Sequence, residues 1–157
     1  MANILPSRPR QTSSRRSFTL IASQYHPTLV DGLISHFQRE LEAISPDASL
    51  TVHRVPGSFE VPLAVQEATT RGKVDAVVAF GVIIEGETAH ASLVGGAVTQ
   101  SLMQISLASR IPVIHEVLLV KNEEQARARC LDDNLNRGTE AARIAVQMAQ
   151  AMIDIRR

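Results

Sequence analysis

The stretch Gly81-Val-Ile-Ile-Glu-Gly-Glu-Thr-Ala-His90 carries an apolar run into a polar turn and ends on a histidine. An imidazole changes charge near neutral pH, so a histidine at the mouth of a turn can take up and return a proton. Gly86, Glu87 and Thr88 offer backbone N–H groups and a hydroxyl. The helical spacing that follows His90 adds the partial positive charge of a helix N-terminus, which favours an anion. A phosphate cradle beside a titratable side chain is the chemistry this spacing would support. Taken alone, His90 reads equally as a helix cap or a solvent-facing residue.

Other residues have two readings of the same kind. Tyr25, the one tyrosine of the chain, follows an apolar run and suits either half-buried packing or stacking on a planar heterocycle. In Val55-Pro-Gly-Ser-Phe-Glu-Val-Pro62, Ser58, Phe59 and Glu60 sit in a Pro-Gly turn. There Glu60 suits a helix start, and the group could also bind a polyol. Arg127 and Arg129 lie on a charged segment, where an arginine is ordinarily solvated.

The elements that must position these groups alternate along the chain. Phe18–Ser23 reads as a buried strand, and Leu29, Val30, Leu33, Ile34, Phe37, Leu41 and Ile44 share one helical face. Leu50–Val55 alternates as a strand, Val61–Arg71 reads as a short helix, and Val74–Ile84 is a near-continuous apolar run. Such a run suits a strand covered on both faces. His90–Ser109 follows as a long helix, Ile111–Leu119 as the fourth strand, and two helical stretches, Asn122–Cys130 and Thr139–Ile155, close the chain. Strands separated by helices predict one α/β domain, a four-stranded parallel sheet with helices on both faces and right-handed crossovers. In the helix after His90, Gly95 and Gly96 each cost about 1 kcal/mol against alanine. Close approach of another backbone, from this chain or a neighbouring subunit, would offset that cost.

Bulk properties narrow the function. The 157 residues make a single-domain length, with 45% hydrophobic and 20% charged residues and a formal net charge of zero. Zero net charge gives no global attraction to nucleic acid or to an anionic membrane, and 3% aromatics are too few for a base-stacking platform. Cys130 is alone, with neither a disulfide partner nor metal-ligand spacing to the histidines. No apolar run reaches the ~20 residues of a membrane span, and the first residues lack a signal-peptide core, so a cytoplasmic protein is expected. Residues 1–16, with two prolines and four arginines, read as a flexible arm that frays or ties to a partner, ahead of a single domain over 17–157.

Several motifs in order give a more specific reading. Val55–Pro62 and Gly86-Glu-Thr-Ala-His90, with Pro112-Val, Glu124-Gln-Ala-Arg-Ala-Arg129 and Asn136-Arg-Gly-Thr-Glu-Ala-Ala142, resemble the lumazine synthase family from about residue 18 to the C-terminus. The resemblance implies a flavodoxin-like three-layer α/β/α sandwich. It also implies condensation of 5-amino-6-ribitylaminouracil with 3,4-dihydroxy-2-butanone 4-phosphate to 6,7-dimethyl-8-ribityllumazine, phosphate and water, with neither metal nor organic cofactor. It implies a homo-oligomer of pentamers, with active sites between subunits and the glycine-rich helix facing the pentamer axis.

Residue by residue, the resemblance makes His90 catalytic and gives the substrate phosphate to Gly86, Glu87 and Thr88. Arg129 becomes the phosphate anchor, and Arg137 adds positive charge nearby. Tyr25 stacks on the pyrimidine, Ser58, Phe59 and Glu60 hold the ribityl chain and ring edge, and Val82 and Ile83 line the ring pocket. His115 stands where the family has a phenylalanine that covers the substrate from the neighbouring subunit. The chain departs from the family pattern there, at Glu85 in place of a basic residue, and at Ala91-Ser92 in place of an aromatic and an acid. Competing readings are a non-catalytic lumazine- or flavin-binding relative and the related archaeal-type riboflavin synthase. Without the resemblance, the residues support an α/β protein for a small phosphorylated ligand. A nucleotide-binding Rossmann domain is disfavoured, because no Gly-x-Gly-x-x-Gly follows the first strand.

Overall fold

Apolar runs of five to nine residues separated by amphipathic stretches leave few ways to bury every apolar face, and the chain takes the doubly covered sheet. A computed structural model describes residues 4–157. In order they form β1 (Ser17–Ser23), α1 (Pro27–Ile44), β2 (Ser49–Val55), a 3₁₀ turn (Ser58–Glu60), α2 (Val61–Thr70), β3 (Ala76–Ile84), α3 (His90–Ser109), β4 (Val113–Val120), α4 (Glu123–Leu131) and α5 (Arg137–Ile155). All four strands are parallel, in the order β2-β1-β3-β4. Helices α1, α4 and α5 cover one face of the sheet, and α2 and α3 the other. The α/β/α sandwich expected from the alternation of elements is therefore present.

The central strands explain the valine-rich run. Ala76 to Val82 of β3 are buried, with Val78 and Phe80 toward α1 and α5 and Val77 and Ala79 toward α2 and α3. Phe80 meets Phe37 of α1 edge to face at 5.8 Å between ring centroids. On α1, six of the seven face residues expected to be apolar are buried, and Ile34 packs at the margin. Gly138 lets the first turn of α5 press on α1, because a Cβ there would run into the Leu33 carbonyl and the His36 Cβ.

Two details differ from the expectation, and a third narrows it. Val52 is exposed, because β2 is an edge strand paired only with β1. Helix α5 starts at Arg137, two residues before Thr139, because Asn136 caps it by accepting the Thr139 N–H at 2.7 Å. Among the described residues the glycines of α3 meet no close backbone: a Cβ on Gly95 would touch the Leu119 side chain at an ordinary 3.4 Å, and one on Gly96 would touch nothing.

Residues 4–16 form no helix or strand but lie on α1 and α5. Glu40 of α1 accepts both Arg8, at 2.9 and 2.7 Å, and Arg143 of α5, at 2.8 Å. Arg143 also donates to the Pro6 carbonyl, and the Thr12 N–H to the Ile44 carbonyl. The hydrogen bond from Arg8 holds the Glu40 carboxyl below its usual range, against the opposing effect of burial.

Candidate active site at the sheet's switch point

The chain leaves β1 toward β2 and then returns to the other side of β1 for β3, so the sheet order reverses between β1 and β3. Open α/β sheets form a crevice at the carboxyl ends of strands at such a point. Tyr25 and His26 follow β1, and the turn 85–89 follows β3. The crevice holds about 320 Å³ and is lined by Tyr25, His26, Gly57 to Glu60, Val82 to Ile84, His90, Ala91 and Val94. A larger cleft of about 540 Å³ lies between α2 and α3, but no titratable side chain lines it. The titratable side chains line the smaller space.

Local geometry shapes the crevice. The Gln24 N–H bonds the Val55 carbonyl at 2.7 Å and the Glu85 N–H the Val120 carbonyl at 2.8 Å, which pins both strand exits. Gly81 lets the 3₁₀ turn settle onto β3, since a Cβ there would lie 2.6 Å from Ser58 Oγ and 3.2 Å from the Val117 side chain. Ser58 is consequently buried, while Phe59 and Tyr25 form a rim that is 63% and 68% exposed. His90 opens α3, and its backbone N–H lies 3.4 Å from the Thr88 hydroxyl. Gly86, Glu87 and Thr88 form an exposed turn beside it.

His26 is the residue sequence reasoning missed. It caps α1 in the left-handed region, φ 54° and ψ 59°, and its ring meets Tyr25 edge to face at 4.8 Å. A non-glycine residue in this region is uncommon, and a residue before proline ordinarily stays extended. The readable signal was Pro27, which suits the first helical position and so marks residue 26 as the cap.

Seven of the expected residues therefore meet in one crevice: Tyr25, Ser58, Phe59, Glu60, Val82, Ile83 and His90. Six others do not line it: Gly86, Glu87 and Thr88, which form the exposed turn at its edge, and Arg129, His115 and Arg137. Arg129 is on α4, half-buried and without an ion pair among the described residues. His115 is on the edge strand β4, where Nδ1 accepts the Val117 N–H at 3.1 Å, so Nε2 carries the proton toward the Thr99 hydroxyl at 2.8 Å. Burial, and then the charge of Arg137, lower its pKa and favour that neutral ring.

Arg137 departs from the expectation that it adds positive charge for a phosphate. Its guanidinium grips the buried Glu116 at 2.9 and 3.1 Å and also pairs with Glu140 at 2.7 Å. Glu116 and Glu140 between them engage all three of its nitrogens. The single-chain crevice thus has two histidines, an aromatic rim and a carboxylate, but no lysine or arginine in its wall.

A family model described as 6,7-dimethyl-8-ribityllumazine synthase matches residues 15–152. The chain belongs to the 6,7-dimethyl-8-ribityllumazine synthase family. A relative of that name from Halorhodospira halophila is 39% identical over 136 residues, covering 86% of this chain and 87% of that protein. The lumazine synthases of Streptomyces coelicolor and Clavibacter sepedonicus are each 41% identical, over 135 and 140 residues. These alignments cover 85% and 88% of this chain, and 83% and 86% of the respective relatives. The lumazine synthase match spans every element of the sheet and both sides of the crevice. No helix among the described residues is long and apolar enough to cross a membrane.

Proposed function

We propose that this chain condenses 5-amino-6-ribitylaminouracil with 3,4-dihydroxy-2-butanone 4-phosphate to form 6,7-dimethyl-8-ribityllumazine. The observation that carries this reading is the meeting of His90, Tyr25, Ser58 and Glu60 in the switch-point crevice of a lumazine synthase family member, with the exposed Gly86–Thr88 turn leading into His90. The uracil ring lies against Tyr25 and over Val82 and Ile83, with the ribityl hydroxyls toward Ser58 and Glu60. The butanone phosphate sits at Gly86 and Thr88, with Glu87 contributing its backbone N–H. Attack of the amine on the ketone, loss of phosphate and ring closure each move a proton, and His90 is the group placed to carry it.

The cation that a phosphate dianion needs comes, in this reading, from Arg129 of a neighbouring copy, with His115 of that copy covering the ring. Three features support a shared site: the lining holds no arginine or lysine, Arg129 is unspent, and the Tyr25–Phe59 rim is open. The glycines and exposed leucines of α3 support a ring of copies, pentameric as in the family, because a Cβ on Gly96 would touch nothing among the described residues. The test is purified protein with both substrates, followed by lumazine absorbance. Formation above the uncatalysed rate sustains the synthase, and its absence from folded protein that still binds lumazine would favour the non-catalytic reading.

A further inference from the structure

The opposite end of the sheet holds a second space, and it rests on different residues. Arg16 immediately precedes β1 and is 4% exposed. Its Nη2 bonds Gln150 of α5, while Nε and Nη1, with three N–H bonds between them, are buried and have no partner among the described residues. Gln150 in turn donates to Asp154 at 2.9 Å, so the Arg16 charge meets a carboxylate only through an amide. A guanidinium so placed is costly unless an acceptor reaches it.

Arg16 lies in the wall of a cleft of about 440 Å³ between the N-terminal arm and α5. Arg10, Gln11 and Thr12 form the arm side, and Gln147 and Asp154 stand with Gln150 on the helix side. Arg10 is exposed and makes no ion pair among the described residues. Asp154, the one acidic residue in the lining, has Arg157 at 3.8 Å, so two guanidiniums face a carboxylate that is already shared.

We propose that this cleft binds a small tetrahedral oxyanion, inorganic phosphate or a phosphate monoester, between Arg10 and Arg16, and that binding holds the arm on α5. Guanidinium N–H groups suit phosphate oxygens, and amide and hydroxyl donors from Gln147, Gln11 and Thr12 complete a polar shell. The cleft lies at the amino ends of the strands, away from the crevice that holds His90, so its ligand is not the condensing substrate.

Amide hydrogen exchange of the peptide spanning residues 9–16, followed by mass spectrometry on the full chain, tests this. Inorganic phosphate or glycerol 3-phosphate should slow exchange severalfold, and chloride at equal ionic strength should not. The stronger of the two phosphates identifies the source of the ligand. Arg16→Gln should abolish the protection while lumazine formation continues at the wild-type rate. Should Arg16→Gln fail to fold, Arg10→Gln on the exposed arm replaces it. That variant should raise the phosphate concentration for half-protection about tenfold, the loss of one charge-assisted contact. No protection of the wild type, equal protection by chloride, or undiminished protection in the folded variant overturns the proposal.

Discussion

Arg137 holds Glu116 with two nitrogens, at 2.9 and 3.1 Å, across the junction of β4 and the first turn of α5. Although the guanidinium opposes it, burial dominates and the Glu116 carboxyl is pushed up to about 7. The folded protein therefore binds a proton here at pH values where the unfolded chain has released it. This contribution to stability is full below the ordinary carboxyl range, near 4.5, and is lost as pH rises through 7. Denaturant midpoints of the wild type should fall between pH 5 and 8, with a slope from this group of at most about 1.4 kcal/mol per pH unit. Glu116→Gln should flatten that part of the profile. An unchanged profile would show that Glu116 titrates as an ordinary carboxylate.

His90→Ala should lower kcat by roughly 10²–10⁴-fold, the range for a placed acid–base, with little change in KM. Steady-state lumazine formation checks it. An unaltered kcat would remove His90 from the proton transfers.

Arg129→Ala should raise KM for the butanone phosphate by about tenfold or more, with the uracil KM nearly unchanged. Co-refolding equal amounts of the His90→Ala and Arg129→Ala variants then asks whether the two residues meet across a subunit boundary. In a ring where each site takes one residue from each neighbour, about one quarter of the sites are intact and activity returns to that fraction. A site built within one chain would regain nothing on mixing.

Gly81→Ala would put a methyl group 2.6 Å from Ser58 Oγ and against Val117. The Ser58 hydroxyl must then swing away or the 3₁₀ turn lift from β3. We expect a loss of about 1–3 kcal/mol in stability, as for other overpacked cores, together with weaker binding of the uracil substrate. Thermal unfolding and the uracil KM, measured on the same preparation, separate the two effects. Wild-type values for both would show that the turn yields without cost.

The sheet and its helices were legible because burial leaves a period in the sequence. Val74–Ile84 had to be covered on both faces, and α1 shows its stripe from Leu29 to Ile44. The β4 boundary was less so. The strand starts at Val113 rather than Ile111, since Pro112 offers only its carbonyl, taken by the Val77 N–H at 2.9 Å. Seven of the expected site residues converge because the loops after β1, β2 and β3 open on the same edge. The clasp between Glu116 and Arg137 was not legible, because it joins residues 21 apart in sequence whose charges carry no period. The backbone of His26 was hidden too, since nothing in His-Pro announces a left-handed turn.

That turn has an evolutionary consequence. Glycine at position 26 would relax the backbone without strain, yet a glycine would remove the imidazole that walls the crevice and abuts Tyr25. Thermal robustness and occupancy of the crevice pull in opposite directions at this single codon. A screen for heat resistance alone would select against the imidazole, and a screen for turnover would retain it.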